Sequence, residues 1–250
     1  RFQMINQVRN TVLAVLNKNN YGYISPSDFN LFAEQAQLDL FEDYFYAYNY
    51  QVNKENARQS GTGYADLKKG YEEVIDTFSV SATLSQIGLP GSAVFSVPTT
   101  ATTGSNYYFI NKILCGSNLR EAERVHQNKI TLLNQSLLTA PSDLYPAYTM
   151  EGSLITLYPG NFNVVGFQPG DVLCQYIRFP KTPKWTYIEI TGGEPVFSQS
   201  QPDYQDFELP LDDQTDLTMK ILQYAGVSIR ESEVVQYSSS KEAQEMQQEK

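Results

Sequence analysis

Apolar positions in the first third of the chain recur at helical spacing. Ile5, Val8, Val12, Val15 and Leu16 mark one amphipathic helix, and the Asn-rich stretch from Asn17 to Tyr23, with Gly22, predicts a turn after it. A second helix opens on strong start signals. Ser25 is placed to cap, Pro26 suits the first helical position, and Asp28 has capping-box spacing and meets the positive end of the helix dipole. Its stripe runs through Phe29, Phe32, Ala33, Ala36, Leu40, Phe41, Tyr44, Phe45 and Tyr48, about five turns in length. So aromatic a helix suits packing on more than one neighbour. Ala57 to Gly63 reads as a flexible link, after which Tyr64, Leu67, Tyr71, Val74, Ile75 and Phe78 give a third amphipathic helix, slightly weakened by Gly70.

From Ser79 the pattern turns to short β runs: Ala93 to Val97, Tyr107 to Leu114, Ala147 to Met150, Leu154 to Tyr158 and Leu173 to Phe179, punctuated by Pro-Gly, Thr-Gly-Ser and Glu-Gly-Ser turns. This predicts a sandwich or barrel-like middle, with one short helical turn at Asn128 to Gln135. Towards the C-terminus Asp212 or Asp213 is placed to cap a helix running to about Ala225 through Leu217, Ile221, Leu222 and Tyr224, with Gly226 as its C-cap. The resulting fold class is α+β: an N-terminal helical hairpin plus third helix (1–78), a β-rich domain (79–200), and a C-terminal helix packing on the helical region, followed by an interaction tail (201–250). The tail from Ser238 to Lys250 is almost devoid of apolar residues, so something outside it must hold it in place.

The stretch from Cys174 to Tyr187, C-Q-Y-I-R-F-P-K-T-P-K-W-T-Y, holds the only tryptophan of the chain. It reads as a buried strand stopped by Pro180 and Pro183, which remove backbone donors and fix φ. A stiff, cationic, aromatic hook follows. Arg178, Lys181, Lys184 and Trp185, with Tyr176 and Tyr187 beside them, are residue types that anchor protein contacts, and they are the candidate interface together with Phe41 and Phe45 of the second helix. The competing reading is a hairpin folded onto its own domain.

Composition narrows the chemistry. A formal net charge of −10 over 250 residues disfavours sequence-independent DNA binding, which relies on cations meeting phosphate. Aromatics reach 13 %, dominated by eighteen Tyr and thirteen Phe, which suits extensive wet contacts better than a small apolar pocket. Cys115 and Cys174 are too few for a disulfide scaffold or zinc site and read as buried small hydrophobes. No run approaches the roughly 18 apolar residues of a membrane span, and no secretory signal is expected, so a soluble, reducing compartment is anticipated.

Catalytic machinery is hard to assemble. His126 is the only histidine, with no nucleophile signature around it, and a structural or interfacial role is expected. No glycine-rich phosphate loop is present. Asn17, Asn19, Tyr21, Gly22, Tyr23, Ile24 and Asp28 fall on calcium-loop positions, but neutral amides stand where carboxylates are required and Asp28 is already wanted for capping, so an ordinary helix junction is expected. Neither cofactor nor metal is anticipated. Two rivals stand beside an assembly role: a glycan-binding surface module of a virion or cell surface that uses exposed Tyr and Trp, and a hydrolase with a carboxylate pair.

Three stretches carry a resemblance to a known family: N-K-N-N-Y-G-Y-I-S-P-S-D-F-N-L-F-A-E-Q-A-Q-L-D-L-F from Asn17 to Phe41, Y-I-R-F-P-K-T-P-K-W-T-Y from Tyr176 to Tyr187, and Y-Q-D-F-E-L-P with K-I-L-Q-Y-A-G-V-S-I-R over Tyr204 to Pro210 and Lys220 to Arg230. Together they resemble a virion structural protein of crAss-like, short-tailed bacteriophages, one of the ring or connector subunits that join portal to tail. The resemblance implies a non-enzymatic protomer in a homo-oligomeric ring, twelve-fold if it follows the portal. It also implies stacking on the portal and other tail rings around a lumen through which DNA passes without specific binding, away from any membrane, in a virion assembled in the host cytoplasm. It carries over no catalytic residue.

Overall fold

The computed structural model describes residues 3–17, 23–56, 65–89, 91–116, 118–160, 171–190, 192–229 and 240–241. The described elements are α1 (Met4–Leu16), α2 (Pro26–Asn56), α3 (Ala65–Thr77), β1 (Ser79–Thr83), β2 (Val94–Ser96), α4 (Thr100–Thr103), β3 (Tyr107–Cys115), β4 (Arg120–Arg124), α5 (Gln127–Asn134), β5 (Ala147–Glu151), β6 (Leu154–Tyr158), β7 (Val172–Arg178), β8 (Tyr187–Glu189), β9 (Pro195–Phe197) and α6 (Gln214–Ile229). The α+β class is as expected, with helices at both ends of the chain and a large curled sheet between them.

Two compact units divide the chain. One comprises residues 1–75 and 180–250, the other residues 76–179. The β unit therefore closes at Phe179, and residues 180–200, grouped by sequence with the β domain, fold with the helices. The physical reason is the pair Pro180 and Pro183: the strand ladder ends there, and both rings are buried in the helical unit.

In the helical unit α6 packs on both α1 and α2. Val8, Val12 and Leu16 of α1, Phe29, Ala33, Ala36 and Leu40 of α2, and Leu217, Ile221 and Ala225 of α6 are all buried, as their helical spacing requires. The expected start of α2 is present: the Asp28 amide donates to the Ser25 hydroxyl at 3.2 Å, and that hydroxyl donates to the Asp28 carboxylate at 2.7 Å. The start of α1 is capped from far away. Its Met4 and Ile5 amides donate to the Asp206 carboxylate at 3.2 and 2.8 Å, so a side chain about two hundred positions later satisfies the orphan donors of the first turn. α2, which carries the aromatic stripe, runs for 31 residues. One expectation is corrected: α6 continues through Gly226 to Ile229, so that glycine is an interior residue and not a cap.

In the β unit seven strands are ordered β1-β7-β3-β4-β5-β6-β2. All pairings are antiparallel except β4 with β5. The hairpin from β5 to β6 turns in two residues, Gly152 and Ser153, and Gly152 holds φ +57, a backbone state that favours glycine. The core gathers Leu84, Phe95, Ile113, Ile155, Leu157 and Val172 around Cys115, Cys174 and Tyr176. Both cysteines are free and buried, and burial pushes each thiol pKa up to about 12. Thiol-reactive dyes at pH 8 are therefore expected to label neither cysteine in the native chain and both after denaturation; stoichiometric native labelling would contradict this burial.

Candidate interaction surfaces

The hook is a clamp inside the helical unit. Trp185 is 2 % exposed. Its indole N–H donates to the Asn6 side chain at 3.1 Å, and the Arg9 guanidinium lies 3.8 Å from its ring centroid. The Asn30 side chain brackets its backbone, accepting from the Trp185 amide at 2.8 Å and donating to the Trp185 carbonyl at 3.2 Å. About two helical turns further along α2, the buried Gln37 donates to the Lys181 carbonyl at 2.9 Å and accepts from the Glu208 amide at 3.1 Å. The Glu208 carboxylate in turn accepts from the Lys181 amide at 2.8 Å. Two primary amides on α2 thus bond the backbone of a segment whose prolines interrupt the ladder and whose Lys184 pairs with Gln205 as a single antiparallel bridge. Burial pulls the Arg9 guanidinium below its ordinary pKa, opposed by the nearby Tyr23, and its Nε is buried without a hydrogen-bond partner among the described residues.

This corrects the candidate interface at three of its eight residues, Trp185, Phe41 and Tyr176. Trp185 and Phe41 are buried, and so is Tyr176, whose hydroxyl bonds Thr103 and Ser105 in the β unit at 3.1 and 2.9 Å. Arg178 sits over the Phe78 ring at 5.6 Å, and Phe45 packs edge-on to Phe41 at 5.0 Å. Lys184 is exposed but paired with Asp203, and the exposed Lys181 is held by its backbone. Trp and Arg bury large areas equally well inside one chain as between chains, so residue type alone could not separate the two readings. Of the eight, Tyr187 keeps the most open aromatic surface, on the β8–β9 ribbon beside exposed Ile188, Ile190 and Val196. Its stacking on Trp185 at 5.6 Å places it over the clamp.

The larger exposed apolar surface lies elsewhere, on residues 125–146 between β4 and β5. Parallel neighbours cannot be joined by a tight turn, so the topology forces an excursion here. Ile130 is the one buried residue of α5. Leu137 is 100 % and Leu138 96 % exposed, with Leu132, Leu144 and Tyr145 also open. The loop that presents them is tied down: the Ala140 amide donates to the Ser136 carbonyl at 2.9 Å, the Thr139 hydroxyl to the Leu133 carbonyl at 3.1 Å, the Tyr145 amide to the Ser142 carbonyl at 3.0 Å, and Arg120 to the Asp143 carbonyl. Beneath this arm opens a cleft of about 600 Å3 whose charged lining is Arg124, Lys129 and Glu123, with His126 at the rim of α5. The His126 carbonyl accepts from the Lys129 and Ile130 amides at 2.9 and 3.1 Å in the first turn of α5, and the residue lines the cleft.

Chemistry elsewhere is sparse. Among the described residues no group of three His, Cys, Asp or Glu is placed to hold a metal ion, and no helix is long and apolar enough to cross a membrane. The calcium-loop positions at 18–22 and most of the tail from 238 onward lie outside the described residues. Comparison with known protein families finds no matching family model, and comparison with curated proteins finds no match.

A carboxylate in the turn that leads into α6, bonded to Tyr44 of α2, gives the helical unit a pH dependence. The Tyr44 hydroxyl donates to both oxygens of Asp213, at 2.7 and 2.6 Å. Burial raises the Asp213 pKa above 3.8, partly offset by the Tyr44 bond and reinforced by Asp212. The native state therefore binds this proton more tightly than the unfolded chain does. Stability contributed by Asp213 rises as pH falls through its native pKa and levels off below 3.8. Thermal melts of Asp213→Asn against wild type should show that increment missing in the variant; parallel pH profiles would refute it. For the clamp, Asn30→Ala should cost about 1–3 kcal/mol by stranding the Trp185 backbone, and Trp185→Ala about 3–5 kcal/mol, read by denaturant unfolding. A loss below about 0.5 kcal/mol in both would show that the clamp is not structural.

Proposed function

We propose that this chain is a non-enzymatic virion structural protein, a ring or connector subunit that helps join capsid to tail in a short-tailed phage and surrounds the DNA passage. The observation that carries this reading is the arm: Leu137 and Leu138 held fully in solvent by a hydrogen-bonded loop that also presents Leu132, Leu144 and Tyr145. Keeping an ordered apolar knob exposed forgoes about 1.5–3 kcal/mol per leucine, an arrangement expected of a surface that another protein covers. Support also comes from the three resembling stretches, whose residues form the α2 start, the clamp and α6. The clamp itself no longer argues for assembly. Trp185, needed as a sugar platform by the glycan reading, is buried, which leaves that alternative only tyrosines.

The net charge of −10 suits a conduit wall that DNA slides past without sticking. Purified virions provide the test. Mass spectrometry should find the chain at multiple copies per particle and an electron-microscopic reconstruction should place it between portal and tail. Its absence from virions, with the protein confined to infected-cell lysate, would contradict the proposal.

A further inference from the structure

We infer that the arm at residues 125–146 docks head-to-tail on the outward stripe of α2 in a second copy of this chain. The inference rests on the assembly reading above and names the contact. α2 leaves one face open: Leu31, Glu42, Tyr46 and Tyr50 follow one another at helical spacing and are exposed. From Pro26 to Tyr50 this helix carries no Lys or Arg, and while Asp28, Glu34, Asp39 and Asp43 are held by Ser25, Thr182, Tyr224 and Lys220, Glu42 lies on the open stripe. The cleft under the arm has the opposite balance, Arg124 and Lys129 against Glu123, in a molecule whose net charge is −10.

Two copies of so acidic a chain repel unless cationic surface meets carboxylate locally. Arm against arm would set Arg124 and Lys129 against their own counterparts, and α2 against α2 would set Glu42 against Glu42. Arm on α2 brings leucine to tyrosine at the centre and cation to carboxylate at the edge, the arrangement of a protein contact with an apolar core and polar rim. Because the two patches are different, each copy offers one and receives the other, and the contact propagates to a ring or a filament rather than stopping at a dimer.

Engineered cysteines test this in the full chain, since both native thiols are buried. Under mild oxidation at high protein concentration, Leu138→Cys mixed with Tyr46→Cys should give a disulfide-linked dimer on a non-reducing gel, with neither variant linking alone. In sedimentation velocity the doubly substituted Leu137→Asp, Leu138→Asp chain should associate at least about tenfold more weakly than wild type. Both leucines are solvent-exposed, so its circular dichroism and Tm should be unchanged, and Arg124→Glu should be rescued by Glu42→Arg. Linking within Leu138→Cys alone, no linking in the mixture, unchanged association of the double variant, or a wild-type chain that stays monomeric would each overturn the contact. The assembly reading is decided separately by the presence or absence of the chain in virions.

Discussion

The contact between Trp185 and the faces of α1 and α2 is the constraint on which the helical unit depends. The chain leaves that unit after residue 75, builds a seven-stranded sheet, and re-enters at residue 180. A segment returning across so long a loop gains nothing from sequence proximity, so its re-entry has to be specified by strong and directional contacts. Asn6, Arg9, Asn30 and Gln37 supply them. Each of the three amide side chains meets a hydrogen-bonding group of the returning strand that has no ladder partner, and the indole fills the space between. In the same unit Asp206 caps the first turn of α1, and α6 packs on both α1 and α2. The lock also explains why the segment is so proline-rich: fixed φ at Pro180 and Pro183 lowers the entropy lost on docking.

The same logic of satisfied backbone separates the two candidate surfaces. Around Trp185 the indole N–H, the Trp185 amide and carbonyl and the Lys181 amide and carbonyl all have partners within the unit, so the indole and its backbone demand no second molecule. On the arm the backbone is tied down and yet the side chains it presents are apolar and open. Order without burial is the combination that calls for a partner. The parallel pairing of β4 and β5 explains how such a feature arises, since the crossover must leave the sheet and return, and its outer face is unconstrained by the core of its own unit.

Much of the architecture was legible in the sequence, for identifiable reasons. Strands β3, β5, β6 and β7 carry Val, Ile, Leu and Tyr in runs bounded by glycine turns, and all lie where the pattern put them. β4 was not legible. Its residues Arg-Glu-Ala-Glu-Arg are good helix formers, and only Ala122 is buried, so its strand state comes from lying between β3 and β5 rather than from propensity. β1 hides for a related reason: Ser79 to Thr83 is an edge strand with no large apolar residue beyond Val80. The hook was recognised as rigid and aromatic, but its partners lie about 150 or more positions away, and no local pattern reports whether a tryptophan meets its own chain or another. The helical turn expected at Asn128 to Gln135 is α5, but leucine in a sequence signals a core, and Leu137 and Leu138 beyond that helix lie open to solvent instead.

The most direct test of the clamp uses the single tryptophan as its own reporter. In dilute, monomeric chain the account requires blue-shifted emission that resists quenching by acrylamide, with no change as the protein concentrates or joins a larger assembly. An indole that is readily quenched in the monomer and becomes protected only on assembly would contradict it, and would return Trp185 to the interface.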